Sequence, residues 1–133
     1  MTVLPDTSVW IRYFRPRPDE ASQHLDRLIE EREILGCGPV LAEILAGTPV
    51  DQRMDIWRGY DNLPWVELDR LAWRQAGEIS FDLARQGRSL PLADILIAVA
   101  AVRGKAQIWT LDRDFERVRD VLPALDLYRP RSA

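Results

Sequence analysis

Short apolar runs recur along this chain without polar alternation, and turn signals bound each one. They fall at Thr2 to Pro5, Ile34 to Cys37, Pro64 to Leu68, Ala106 to Thr110 and, more briefly, near Leu125 to Tyr128. Runs of that kind predict parallel strands buried on both faces. The segments between them carry apolar residues at helical spacing. Helices are expected over Val9 to Phe14, Asp19 to Arg32 (Leu25, Leu28, Ile29 inward) and Val40 to Ala46, which Pro39 opens and Gly47 and Pro49 stop. Further helices are expected over residues 50 to 62, with Met54, Trp57 and Tyr60 on one side, and over Asp69 to Gln86, ended by Gly87. The stripe of the latter is Leu71, Ala72, Ala76, Ile79, Leu83 and Ala84. The most apolar helix is Leu92 to Val102, closed by Gly104, and a last one carries Phe115, Val118 and Leu122. Strands alternating with helices imply an α/β fold of right-handed βαβ units on a parallel sheet of four to five strands.

Four acids stand out against this pattern. Asp6 and Asp112 each follow a strand directly, where an open α/β sheet binds its ligands. Glu43 is the one polar residue of an otherwise apolar helix, and Asp94 sits in the first turn of the greasiest helix. Each has an ordinary alternative: Asp6 and Asp112 as helix caps, Glu43 on a solvent-facing side, Asp94 as a complement to the helix dipole. Convergence at one sheet edge would crowd carboxylates, raise at least one pKa and call for a cation. An oxygen donor set without His or Cys suits Mg²⁺ or Mn²⁺ rather than zinc. The matching chemistry is metal-assisted hydrolysis of a phosphodiester. Ser8 and Thr110, each within two residues of an acid, are placed to orient carboxylates or bound water.

Composition narrows the class. The 133 residues are 47% hydrophobic and 29% charged, those of a single globular domain spanning 1–133. No run approaches the roughly 20 apolar residues of a membrane span, and no signal peptide is legible, so a cytoplasmic protein is expected. The one cysteine, Cys37, excludes an internal disulfide and a multi-cysteine zinc site, and reads as buried. A net charge of −3 argues against nucleic-acid binding by bulk attraction. Local contacts stay open, because eighteen basic residues include a single lysine, Lys105, and the rest are forked guanidinium groups. The turn Arg15-Pro16-Arg17-Pro18 is either a phosphate contact or an exposed loop, and Arg129-Pro130-Arg131 forms a basic tail. The lone histidine, His24, is expected to face solvent.

The stretches VLPDTSVWI, PVLAEILAG, LPLADILIAVAAVRG and IWTLDRDF, taken together and in this order, resemble the PIN-domain ribonucleases, specifically the VapC-type toxins of toxin–antitoxin pairs. The resemblance spans nearly the whole chain. It implies a three-layer α/β/α sandwich and a Mg²⁺- or Mn²⁺-dependent endoribonuclease acting on RNA. Asp6, Glu43, Asp94 and Asp112 fall at the family's acidic positions, Asp114 at a further acid that is often present, and Ser8 and Thr110 at its hydroxyl positions. It also implies a homodimer, with Trp57, Tyr60 and Leu63 as candidate contacts, and a small antitoxin that puts a basic side chain among the acids. Arg12, Arg15 and Arg113 are candidates to offset RNA charge. Two rival readings remain: a non-catalytic partner-binding module on the same fold, and a phosphoryl-accepting receiver-like domain. The latter wants a lysine after a late strand, whereas Lys105 precedes one.

Overall fold

Strand β1 (Val3–Pro5) pairs in parallel with β2 (Gln107–Trp109), Val3 opposite Gln107 and Pro5 opposite Trp109. The computed structural model describes residues 2–130, so Arg131 of the basic tail lies outside the described residues. Val3, Leu4, Ile108 and Trp109 are buried, as expected of strands without polar alternation. Single parallel bridges extend the ladder on both sides: Ile34 to Val3, Trp65 to Gly36, and Leu127 to Ile108. The five predicted segments thus lie side by side, but regular pairing is confined to the central two. Proline supplies no donor past Leu4, and the ladder is carried on by Asp6, whose N–H donates to the Trp109 carbonyl at 2.8 Å.

The helices are α1 (Thr7–Tyr13), α2 (Glu20–Glu30), α3 (Gly38–Ala46), α4 (Arg53–Asp61, after a single 3₁₀ turn), α5 (Arg70–Arg85), α6 (Leu92–Arg103) and α7 (Phe115–Val118). Asp6, Asp19 and Asp69 cap α1, α2 and α5 by accepting from the N–H of Val9, Ser22 and Ala72. The Asp6 cap starts α1 two residues before the apolar pattern does. Helix α6 packs against α3, α5, α7 and β2, while α1 packs against α2, α3 and β1. Ile95 to Ala101 are all buried, which accounts for a helix apolar on every side. The layers form the expected α/β/α sandwich around a parallel sheet.

Several expectations need correction. Helix α3 buries only Val40 and Ile44 and leaves Ala42, Glu43 and Ala46 exposed, so it lies against the core along one stripe. Leu71 is 63% exposed and Ala84 is also exposed, because α5 turns only Ala72, Ala76, Ile79 and Leu83 inward. On α4, Met54 and Trp57 face outward, while Tyr60 is just 3% exposed and cannot be a subunit contact. Its ring meets Trp10 and Trp65 edge-on, and its hydroxyl accepts from the Cys37 N–H at 2.9 Å. The backbone at Gly36 runs so close that a β-carbon there would lie 2.9 Å from the Tyr60 ring. Cys37 is buried as expected, and burial pushes its thiol up to about 11, which leaves it unreactive.

Tyr60 therefore locks α4 to the chain just before α3. Tyr60→Phe leaves the buried Cys37 N–H without its acceptor and is expected to cost about 1–3 kcal/mol. Urea denaturation checks this; an unchanged midpoint would show that the hydroxyl contributes nothing.

Candidate metal centre

The strand-to-helix corner at β1 places Asp6 with only 4% exposure, and a carboxylate buried that deeply must have its lone pairs filled. Oδ1 accepts from Ser8 Oγ at 2.5 Å and from the Val9 N–H at 3.2 Å. Oδ2 accepts from the Thr110 hydroxyl, at the end of β2. Burial pushes the Asp6 carboxyl above its ordinary value, and these donors pull it partly back. The helix-cap reading of Asp6 is met by Oδ1, which caps α1, while Oδ2 takes the Thr110 hydroxyl and keeps one acceptor direction.

The hydroxyls extend the network across the sheet edge. Ser8 Oγ accepts from the Leu111 N–H at 3.1 Å, and Thr110 Oγ accepts from the Asp112 N–H at 2.9 Å. Asp112 is exposed and is no helix cap; its Oδ1 accepts from the Asp114 N–H at 2.9 Å in an Asx turn, which shapes the loop ahead of the short α7. Asp114 is half-buried and engaged by Arg117 at 2.6 Å. Glu43, exposed on α3, accepts from the Thr7 hydroxyl at 2.5 Å.

Asp94, in the first turn of α6, ties the acids together. Its carboxyl is pushed up to about 6, first by burial and then by the negative charges of Glu43, Asp6, Asp112 and Asp114. Acids from three other stretches of chain therefore act on Asp94. Among the described residues, no three acidic, His or Cys side chains stand close enough together to hold a metal ion as they are placed. The donor chemistry nonetheless fits a hard divalent ion: all oxygen, Asp6 held rigidly, and a mutual repulsion that a cation would relieve.

Thr7 is the residue that sequence reasoning passed over. It stands between Asp6 and Ser8 at the first helical position, but its bond to Glu43 depends on how α1 crosses α3, which local patterning does not reveal. Arg12 is engaged elsewhere, paired with Asp19 at 2.8 Å, while Arg15 and Arg113 are exposed. Expected to face solvent, His24 is instead half-buried against Trp109 and Tyr128.

Comparison with known proteins bears on this arrangement. A profile of the PIN domain matches residues 3–121. Ribonuclease VapC11 of Mycobacterium tuberculosis is 34% identical over 119 residues, covering 86% of this chain and 89% of the relative. Among solved structures, VapBC2 from Rickettsia felis, bound to a DNA fragment from its promoter, superposes with a TM-score of 0.75 at 22% identity over 98% of this chain and 100% of that one. DNA-bound VapBC from Salmonella typhimurium gives 0.76 at 20% identity, over 96% and 97% respectively. At those identities the structural likeness is one of fold.

The raised Asp94 pKa has a thermodynamic consequence. An acid that holds its proton more tightly when folded disfavours folding once it ionises, so this penalty is absent near pH 4, grows toward pH 6 and is full above it. In metal-free protein, Asp94→Asn is expected to raise Tm by a few degrees at pH 7.5 and to leave it unchanged near pH 4. Melting curves in excess chelator test this; a lower Tm at pH 7.5 would mean that the helix-dipole contribution of Asp94 outweighs the repulsion.

Proposed function

We propose, since this chain belongs to the PIN-domain family and to its VapC branch, that it is a divalent-metal-dependent endoribonuclease serving as the toxin of a toxin–antitoxin pair. The observation that carries this reading is the hydrogen-bonded network at the ends of β1 and β2, where Ser8 and Thr110 tie the buried Asp6 to the loop that bears Asp112, with the Asp94 carboxyl raised by burial and by the charge of the neighbouring acids. The matching relatives are named as ribonucleases, and the fold neighbours include a member of the VapBC family of toxin–antitoxin systems from Mycobacterium tuberculosis and a toxin–antitoxin complex from Klebsiella pneumoniae.

Asp6, Glu43, Asp94 and Asp112 would hold Mg²⁺ or Mn²⁺, with Asp114 as a further ligand. When bound, such an ion supplies Lewis-acid polarisation of a phosphate oxygen and lowers the pKa of water. The chain's own contribution is positioning. Ser8, Thr110 and the Val9 N–H fix the Asp6 carboxylate in one rotamer, and Thr7 holds one oxygen of Glu43. Thr110 and Ser8 also accept from the backbone after β2, which ties the loop bearing Asp112 to the Asp6 corner. Asp94, at the start of the buried α6, would be held facing the other acids and supply a further carboxylate oxygen to the ion.

The partners follow the same reading: single-stranded or looped RNA as substrate, a small antitoxin that neutralises the acids with a basic side chain, and a second copy of the chain. With Tyr60 buried, a homodimer contact on this side falls to Trp57 and its exposed neighbours. Among the described residues no helix is long and apolar enough to cross a membrane, and the cytoplasm is the proposed compartment.

Cleavage of structured RNA with Mg²⁺ or Mn²⁺ is the test. Asp6→Asn and Asp94→Asn are each expected to reduce the rate at least a hundredfold, and excess chelator to stop it. Full activity in either variant, or in chelator, would sink the nuclease reading. Binding of a partner peptide with an affinity indifferent to the acids would then favour the non-catalytic module.

A further inference from the structure

On the far side of Thr110 from Asp6 lies an open cleft of about 430 Å³, a size typical of small-ligand sites. Helix α2, the end of β2 and the segment after Leu127 form its walls. His24 and Tyr128 lie nearly parallel there, centroids 5.7 Å apart and planes 16° apart. Trp109 meets both edge-on, at 5.3 and 5.8 Å. Arg27 donates to His24 Nδ1 at 2.9 Å, and a guanidinium has no acceptor, so Nδ1 carries the lone pair and the ring proton sits on Nε2. Nε2–H then donates to Tyr128 Oη at 2.5 Å. Tyr128 accepts in that bond and keeps its own O–H for another acceptor. Burial and the Arg27 charge hold the His24 pKa below its ordinary value, in keeping with this neutral tautomer.

We propose that this cleft receives one unstacked nucleobase of a single-stranded RNA whose adjoining phosphate lies over the acids, a reading that rests on the nuclease function above. Contiguity is the first reason. Thr110 and Leu111 line the cleft, while the Thr110 hydroxyl bonds Asp6 and the Leu111 N–H bonds Ser8, so a ligand leaving the cleft passes directly onto the acidic centre. The wall chemistry is the second. Tyr128 and His24 offer flat, polarisable surfaces of the kind that stack splayed RNA bases, and Gln23 adds a side chain with both donor and acceptor for a base edge. Charge is the third. The acids repel a phosphodiester, and the cations that could offset this are here: Arg27, and Arg129, which pairs with Glu116 at 3.3 Å at a largely exposed site, a contact cheap to exchange for phosphate.

The test measures binding without metal or cleavage. A labelled single-stranded hexanucleotide RNA is titrated with the intact protein in chelator at low salt, then replaced by versions with one abasic nucleotide at each position in turn. The wild type is expected to lose about tenfold in affinity for one abasic position and far less for the others. In Tyr128→Leu that position is expected to cost less than twofold, and in Gln23→Ala, an exposed site that leaves the fold intact, the ranking of the four bases there is expected to flatten. Equal effects at every abasic position, or a dependence unchanged in both variants, would overturn the base cleft. Loss of the single-position dependence alongside intact metal-dependent cleavage refutes the cleft alone; its persistence in a wild-type protein that cleaves nothing refutes the nuclease reading and leaves a base-binding cleft standing.

Discussion

Burying the Asp6 carboxylate constrains everything around it. A charge with 4% exposure at the end of a three-residue strand is tolerable only with donors on both oxygens, and these come from two distant stretches of chain, the start of α1 and the end of β2. Val9 ties Asp6 to its own helix, Ser8 to the loop after β2 through Leu111, and Thr110 to β2 itself. The pairing of β1 with β2 and the geometry of the acidic centre are therefore one structure. Removing the hydroxyls would loosen the sheet edge and the carboxylate together, because the same bonds serve both.

Helix α6 plays the complementary part. Its apolar sides, buried from Ile95 to Ala101, leave it no freedom to rotate or tilt, so Asp94 is held in the field of the other acids whatever that costs. A more amphipathic helix would let the carboxylate swing toward water. The fold thus uses hydrophobic burial, which is non-directional and large, to hold an electrostatic arrangement that would disperse if free to do so. Perturbed carboxyl groups held in this way cluster at functional sites.

The central layer was legible in the chain because buried parallel strands and all-apolar helices leave unambiguous runs. Val3-Leu4, Ile108-Trp109 and Ile95 to Ala101 behave as their patterns require. Side chains whose partners lie on a different element were not legible. Tyr60 looked like a surface aromatic until the Cys37 N–H was found to bind its hydroxyl, and His24 looked solvated until Tyr128, more than a hundred residues away, stacked on it. Leu71 failed in the opposite sense: it fits the helical stripe of α5, yet the core ends at Ala72. Among the acids, the topological positions of Asp6 and Asp112 followed from strand ends, whereas the Thr7 bond to Glu43 required the crossing of α1 over α3. Periodicity reports which face is buried; it carries no information about which polar atoms meet.

An acidic protein acting on a polyanion has to separate attraction from chemistry in space. Asp94 feels the charge of the other four acids on one side of Thr110, while aromatic and guanidinium groups line the cleft beside α2. Thr110 is the boundary: its hydroxyl donates to Asp6 in one direction, and its residue lines the cleft in the other. On the proposed reading, a net charge of −3 gives no attractive long-range field for RNA, so affinity would come from short-range stacking and from charges placed within a Debye length of the phosphate. Stacking does not weaken with salt as ion pairing does, and it selects bases free of a duplex. On the proposed reading, an enzyme built this way recognises unpaired nucleotides first and engages the phosphate second, and its preference for particular RNAs is decided at the half-buried rings rather than at the acids.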